Sequence, residues 1–250
     1  GATLDGRFDG KDPIIRGVIG PVLAERTYLE AVQEGAIAPI KIIMLEIPIQ
    51  GYNAFNRARV QRNLLFENPQ VGQAVRCLCD PAYQMWPADW QILGFIDNEK
   101  QANFISENMN GIPHQIAMAK LMTDQQRIQC MDDLKTAKTR VCFATNIYAQ
   151  GVTFSDLRVV INLAGGGAST KTIQKPGRVA EIRPGKRCGV VIDFLFTGDA
   201  EQMRKMRRSA CWSVVYESAA RLKYYQERGF EVHVVKGYNS LRDTITRHCL

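Results

Sequence analysis

The stretch TRVCFATNIYAQGVTFSDLRVVINL, residues 139–163, decides the fold. Its two ends, VCFAT and LRVVINL, are short β-branched and aromatic runs that are apolar at nearly every position instead of at alternate ones. A strand apolar on both faces belongs in a sheet covered by helices on both sides, and such sheets are mostly parallel. Between the two runs, Thr145 closes the first, a turn leads to Gly151, and Thr153 and Asp156 precede the second. Small hydroxyl residues and glycine at a strand's carboxyl end let backbone donors approach a phosphate closely. An ordinary strand-to-strand crossover has the same local pattern, so this stretch alone leaves both readings open.

Outward from it, KIIMLEI (41–47), WQILGFID (90–97) and RCGVVIDF (187–194) are further runs of strand length, and helical patterns separate them. That alternation predicts an α/β fold, a mostly parallel sheet flanked by helices. One helix is expected from Glu99 to about Met109, with Ala102, Ile105 and Met109 inward and Asn110 and Gly111 as its stop. Thr123 and Gln126 have the spacing of a reciprocal cap and predict a second helix, with Ile128, Met131 and Leu134 inward. From Asp199 to about Arg228 the pattern is one long helix or a broken pair carrying Trp212, Val215, Leu222 and Tyr225, closed by Gly229. Pro69, Pro81 and Pro87 interrupt residues 48–90, where NRARVQRNLLFENP reads as helix and DPAYQMWPADW as loop. The first forty residues, with Gly6, Gly10, Gly17 and Gly20, read as a connector into a short helix.

Bulk composition narrows the class. Hydrophobic residues make up 46% and charged residues 23% of 250, a globular balance that predicts one main core plus attachments. No apolar run reaches the roughly 18 residues of a membrane span, and the start at Gly1 has no signal-peptide pattern, which suggests a piece of a longer protein. Lys and Arg outnumber Asp and Glu by 32 to 25, giving +7 and a balance that favours polyanionic partners. Seven scattered cysteines, an odd number, predict reduced thiols and a cytoplasmic setting. Cys77 and Cys79 lack a second pair or a histidine pair, so no metal site is expected, and His114, His233 and His248 read as ordinary polar residues.

A second segment, TIQKPGRVAEIRPGKRCGVVIDF (172–194), delivers Gln174, Gly177, Arg178 and further cations just before an apolar strand. Arginine's guanidinium stays charged and its fork of donors matches phosphate or carboxylate oxygens. A solvated basic loop is the plainer reading.

Taken together, these segments resemble the second RecA-like domain of superfamily 2 helicases and translocases. The AT and QG of residues 144–151 resemble motif V, and QKPGRVAE (174–181) resembles motif VI. ILGFIDNEKQANFISENM is similar to motif IV, and LMTDQQRIQCMDDLK to the segment between IV and V. GATLDGR resembles the tail of motif III. GVIGPVLAERTYLEAVQEGAIAPIKIIML and RLKYYQERGFEV are similar to segments of phage recombination helicases and their restriction-enzyme-like relatives. The resemblance implies three parts: the end of a first motor domain and a connector (1–40), the second RecA-like domain (41–198), and a C-terminal helical extension (199–250).

It also implies a function. ATP would sit between two RecA-like domains, with its phosphates and Mg²⁺ held mainly by the first, because no GxxxxGK[ST] loop or DExH-type site occurs here. Arg178 would be an arginine finger and Gln174 a polar group near the γ-phosphate or attacking water, with Gly151 and Thr153 beside the nucleotide. Thr145, Asn146, Lys171 and Lys175 would contact nucleic-acid phosphates, joined by Arg204, Arg207 and Arg208 of RKMRRS unless that run is a solvated helix face. Trp86, Trp90 and Trp212 could stack on bases, although core packing is their commoner use. Where the family usually carries a second arginine, this chain has Glu181. Arg183 or Lys186 could reach in only if the helix ends before Pro184. The implied partners are DNA, whether single-stranded, duplex or branched, and the first RecA-like domain; the implied location is the cytoplasm, that of the host if the protein is phage-encoded. The alternatives are a helicase-like binding module without turnover and the motor part of a restriction enzyme.

Overall fold

The computed structural model describes residues 26–49, 62–145, 154, 156–165, 175–199, 201 and 212–250. The strands are β1 (Ile40–Pro48), β2 (Gln91–Phe95), β3 (Gln115–Ala117), β4 (Val141–Ala144), β5 (Leu157–Asn162), β6 (Gly189–Thr197) and β7 (Glu231–Lys236), and the apolar runs among them form because they can be buried on both faces. They form one sheet in the order β3-β4-β2-β5-β6-β1-β7, with every pair parallel. β2 and β4 are buried along their whole length, whereas the edge strand β7 is buried only at Val235. Gly94, in the middle of β2, is required by a close approach: a Cβ there would run into the Phe143 ring on β4.

Helices cover both faces, as strands of this composition require. α1 (Tyr28–Gln33), α2 (Pro69–Cys79), α3 (Glu99–Asn108), α4 (Asp124–Lys135), α5 (Trp212–Glu227) and α6 (Gly237–His248) complete the layers. On one face Val71, Val75 and Leu78 of α2, Ala102 and Ile105 of α3, and Leu241 and Ile245 of α6 pack on Ile43, Ile92, Val159 and Ile192. On the other, Cys130 and Leu134 of α4 and Tyr225 of α5 pack on Met44, Leu93, Val160 and Val191, with Tyr28 of α1 against them.

Local rules explain most boundaries. Asn98 caps α3, Met109 is its C-cap, and Gly111 takes the left-handed conformation (φ 82°) just beyond it. Thr123 Oγ accepts from the Gln126 N–H while Gln126 Oε1 accepts from the Thr123 N–H at 2.8 Å, so α4 starts where the spacing predicts.

The inward face of α4 differs from expectation. Ile128 is 54% exposed, and the buried residues are Cys130, Asp133 and Leu134. Ile128 lies six residues before Leu134, about 120° round the helix, so the two cannot share a face. Pro69 does not break a helix but begins α2 at its first turn, after the N-cap Asn68. Of the helix expected upstream of it, the described part is a single π-type turn, Arg62–Phe66. The C-terminal extension contributes more than helix, since β7 joins the sheet beside β1. Among the described residues no helix is long and apolar enough to cross a membrane.

Candidate functional site

Ligands of parallel sheets sit beyond the strands' carboxyl ends, and here those ends are cross-linked by polar side chains. After β2, Asn98 accepts from the Gln101 N–H. The buried Gln101 side chain in turn accepts from the Asp97 N–H at 2.7 Å and donates to Leu163 O at 2.8 Å. The turn after β2 is thereby fixed to the chain leaving β5. At the end of β4, Thr145 is half-buried, and its N–H donates to Ala117 O of β3 at 3.1 Å.

The strongest linkage begins where β5 ends. Asn162 is buried; its Oδ1 accepts from Lys175 Nζ at 2.6 Å, and its Nδ2 donates to Asp193 Oδ2 at 2.9 Å. Asp193, in the middle of β6, also receives Arg221 Nε and Nη2, each at 2.9 Å, and the Tyr225 hydroxyl at 3.0 Å, all from α5. Burial alone would raise the Asp193 carboxyl. The Arg221 guanidinium, with Asn162 and the Phe194 N–H, overrides that and holds it below the usual carboxylate range. Burial and the adjacent carboxylate push the Tyr225 hydroxyl well up, so it remains a donor. Sequence reasoning missed this network apart from Lys175. Its one visible sign was an aspartate inside the apolar run VVIDF, which demands a buried cation.

Lys175 therefore faces inward. It is 4% exposed, sits 5.9 Å from the centre of the Phe95 ring and ties the start of the next turn to the sheet. That turn is a 3₁₀ helix, Pro176–Val179, carrying Arg178. From Lys175 the chain runs down the face covered by α4 and α5, until Ala180 O accepts from the Ala38 N–H at 2.8 Å near the start of β1. Val179 is buried against Gly189, where any Cβ would meet the Val179 carbonyl. Arg178 is half-buried, and burial pulls its guanidinium pKa down from a value high enough that it stays charged. The arrangement is a charged, partly desolvated guanidinium on a short turn braced at both ends. It suits an anion, whose attraction strengthens as water is excluded.

The 3₁₀ helix ends at Val179, well before Pro184, so Glu181 and Arg183 lie on non-helical chain. Arg183 Nη2 meets Glu181 Oε1 at 2.9 Å. Lys186 is buried and donates to Leu157 O at 2.8 Å; burial, then Arg158, pulls it down to about 8. Glu181 is thus already partnered, and Lys186 is committed elsewhere. Asn146, Gly151, Thr153, Lys171, Gln174, Arg204, Arg207 and Arg208 lie outside the described residues. Trp86 donates its indole N–H to Leu78 O at 2.9 Å and stacks on Trp90 at 5.7 Å, with Arg158 over Trp90, so both rings are used in packing. The six described cysteines are buried and unpaired with one another.

Residues 82–183 match the family model described as the helicase conserved C-terminal domain, a span running from before β2 through the Arg178 turn. Over those residues the chain is similar to that domain. A protein assigned as helicase 22 in Sulfolobus islandicus filamentous virus is 26% identical over 212 residues, covering 77% of this chain and 36% of that protein. An ATP-dependent RNA helicase of Candida glabrata is 28% identical over 109 residues, 44% of this chain and 24% of its own length. The chain thus spans about a third and about a quarter of these two relatives. Among solved structures, S. cerevisiae Dbp5 bound to RNA and ADP BeF3 superposes with a TM-score of 0.51 at 16% identity, over 98% of this chain and 60% of that one. The type ISP restriction-modification enzyme LlaBIII bound to DNA gives 0.58 at 14% identity, over 90% of this chain and 17% of that one. At these identities the likeness is one of fold, a RecA-like sheet flanked by helices.

Proposed function

We propose that this chain is the second motor domain of an ATP-dependent helicase or translocase that acts on duplex or branched DNA. The observation that carries the reading is the braced turn bearing Arg178, within the span that matches the helicase C-terminal family model. In this reading ATP binds between a first RecA-like domain, elsewhere in the complete protein, and this one. Phosphoryl transfer depends mainly on positioning and charge stabilisation, and a guanidinium at the γ-phosphate is worth about 10³ to 10⁵ in rate. Arg178 supplies that charge, Gln174 orients the γ-phosphate or the attacking water, and Gly151 and Thr153 lie beside the nucleotide. Glu181, the first acid after the turn in sequence, is paired with Arg183 and so is not offered to Mg²⁺. In this reading the metal is held mainly by the first domain.

Nucleic-acid contacts come from Thr145, Asn146, Lys171 and the basic run at Arg204, Arg207 and Arg208. Lys175 acts on them only indirectly, by fixing the turn.

The test is ATP hydrolysis by the complete protein with branched duplex DNA, single-stranded DNA or RNA. DNA-stimulated hydrolysis with strand separation or branch movement is expected. Stimulation by RNA alone would replace DNA with RNA as substrate, and no turnover with any polynucleotide would leave a binding module without motor activity. One observation favours that last reading: the Glu181–Arg183 pair stands where a second finger is usual.

A further inference from the structure

The strand period of two and the helix period near 3.6 bring together three side chains that lie apart in sequence. On β7, Glu231, His233 and Val235 alternate onto one face, and the buried Val235 shows that this face meets α6. On α6, Leu241 and Ile245 are buried against the sheet, and His248 follows at the next step of the same stripe. The result is a cluster at the amino end of β7. His233 Nε2 is 2.8 Å from Glu231 Oε1, His248 Nδ1 is 3.7 Å from the same oxygen, and the two imidazoles lie 4.1 Å apart between centroids. One donor atom from each of the three residues lies within 4.8 Å of the others.

We propose that Glu231, His233 and His248 form a site for a divalent transition metal, Zn²⁺ being the best match, that fastens the last turn of α6 to the edge strand β7. With bonds of about 2.0–2.2 Å, the donors around tetrahedral zinc sit roughly 3.3 Å apart, between the two separations measured to Glu231 Oε1. Two imidazoles and one carboxylate are the donor set of zinc, nickel and copper rather than of Mg²⁺ or Ca²⁺, and they leave a fourth position for water. Lys41 Nζ straddles the same carboxylate, 3.1 Å from Oε1 and 3.0 Å from Oε2, so metal binding requires it to retain Oε2 and release Oε1. The plainer use of these groups is a polar cover for a sheet edge, yet that needs no convergence of both imidazoles on a single oxygen.

The site lies at the opposite end of the sheet from Lys175, because Lys41 and Glu231 pair where β1 and β7 begin. It is independent of the proposed motor function and is tested without it. The experiment is calorimetric titration of Zn²⁺ into the complete protein and into a His233→Ala/His248→Ala double variant, with melting followed by circular dichroism. The wild type is expected to bind one equivalent more than the variant and to melt higher with the metal, while the metal-free proteins share one spectrum. A Glu231→Gln variant, which keeps the shape, is expected to bind at least tenfold more weakly. Co²⁺ in place of Zn²⁺ should give no thiolate-to-metal absorption band attributable to this site. Equal stoichiometry in wild type and double variant, or a thiolate band that disappears with the double substitution, would overturn the proposal.

Discussion

In the proposed reading Arg178 meets an anion while Lys175, three residues earlier, holds its turn in place. Lys175 looks from sequence like one more cation for a phosphate backbone, but its ammonium is spent on Asn162, inside a network that ends at Arg221 and Tyr225. Two variants test this at the residue scale. Asp193→Asn leaves a buried guanidinium without its counter-charge and is expected to cost about 3–5 kcal/mol of stability in urea denaturation, as breaking buried pairs does. Because Asp193 is held below its ordinary value near 3.8, its contribution is complete above that pH and is lost as pH falls through the lower folded value. Acid unfolding followed by circular dichroism should show that component in the wild type and not in the variant. Lys175→Met is expected to weaken hydrolysis while leaving unchanged the slope of DNA affinity against salt, since removing a cation that neutralises a phosphate lowers that slope by about one. A slope lower by one would make Lys175 a phosphate ligand after all.

The elements were legible where burial is two-sided. Five runs of apolar residues could only be central strands, and the Thr123–Gln126 spacing marked one helix start. What stayed hidden was structure whose signal is weak or reads two ways. β3 is three residues long, β7 is half polar because it is an edge, and Pro69 marks a helix start as readily as a break. The resemblance to motifs V and VI was legible because its residues are contiguous. The brace was not, because Asn162, Lys175, Asp193 and Arg221 come from four separate segments. Gly189 belongs to this scale, since it lets the 3₁₀ turn pack on the first residue of β6. Gly189→Ala forces the Val179 carbonyl away and is expected to cost about 1–3 kcal/mol, the range for overpacking. It should also lower hydrolysis at temperatures where the protein stays folded, by displacing Arg178. Full activity in a folded Gly189→Ala protein would show that the turn's position does not matter.

For the whole molecule, the +7 balance of the chain is what the proposed reading requires of a protein that grips a polyanion. If the proposal holds, nucleic-acid affinity falls steeply with salt. A surface that neutralises about 6–10 phosphates binds about 10³ to 10⁵ more weakly at 200 mM salt than at 50 mM, which fluorescence anisotropy would read directly. The central claim concerns hydrolysis and rests on one side chain. In the complete protein, nucleic-acid-stimulated ATP hydrolysis should be measured for Arg178→Ala beside Arg183→Ala, whose guanidinium is occupied by Glu181. The account predicts a loss of about 10³-fold or more for Arg178→Ala with folding intact, and a change of less than about tenfold for Arg183→Ala. Undiminished turnover in Arg178→Ala would contradict it.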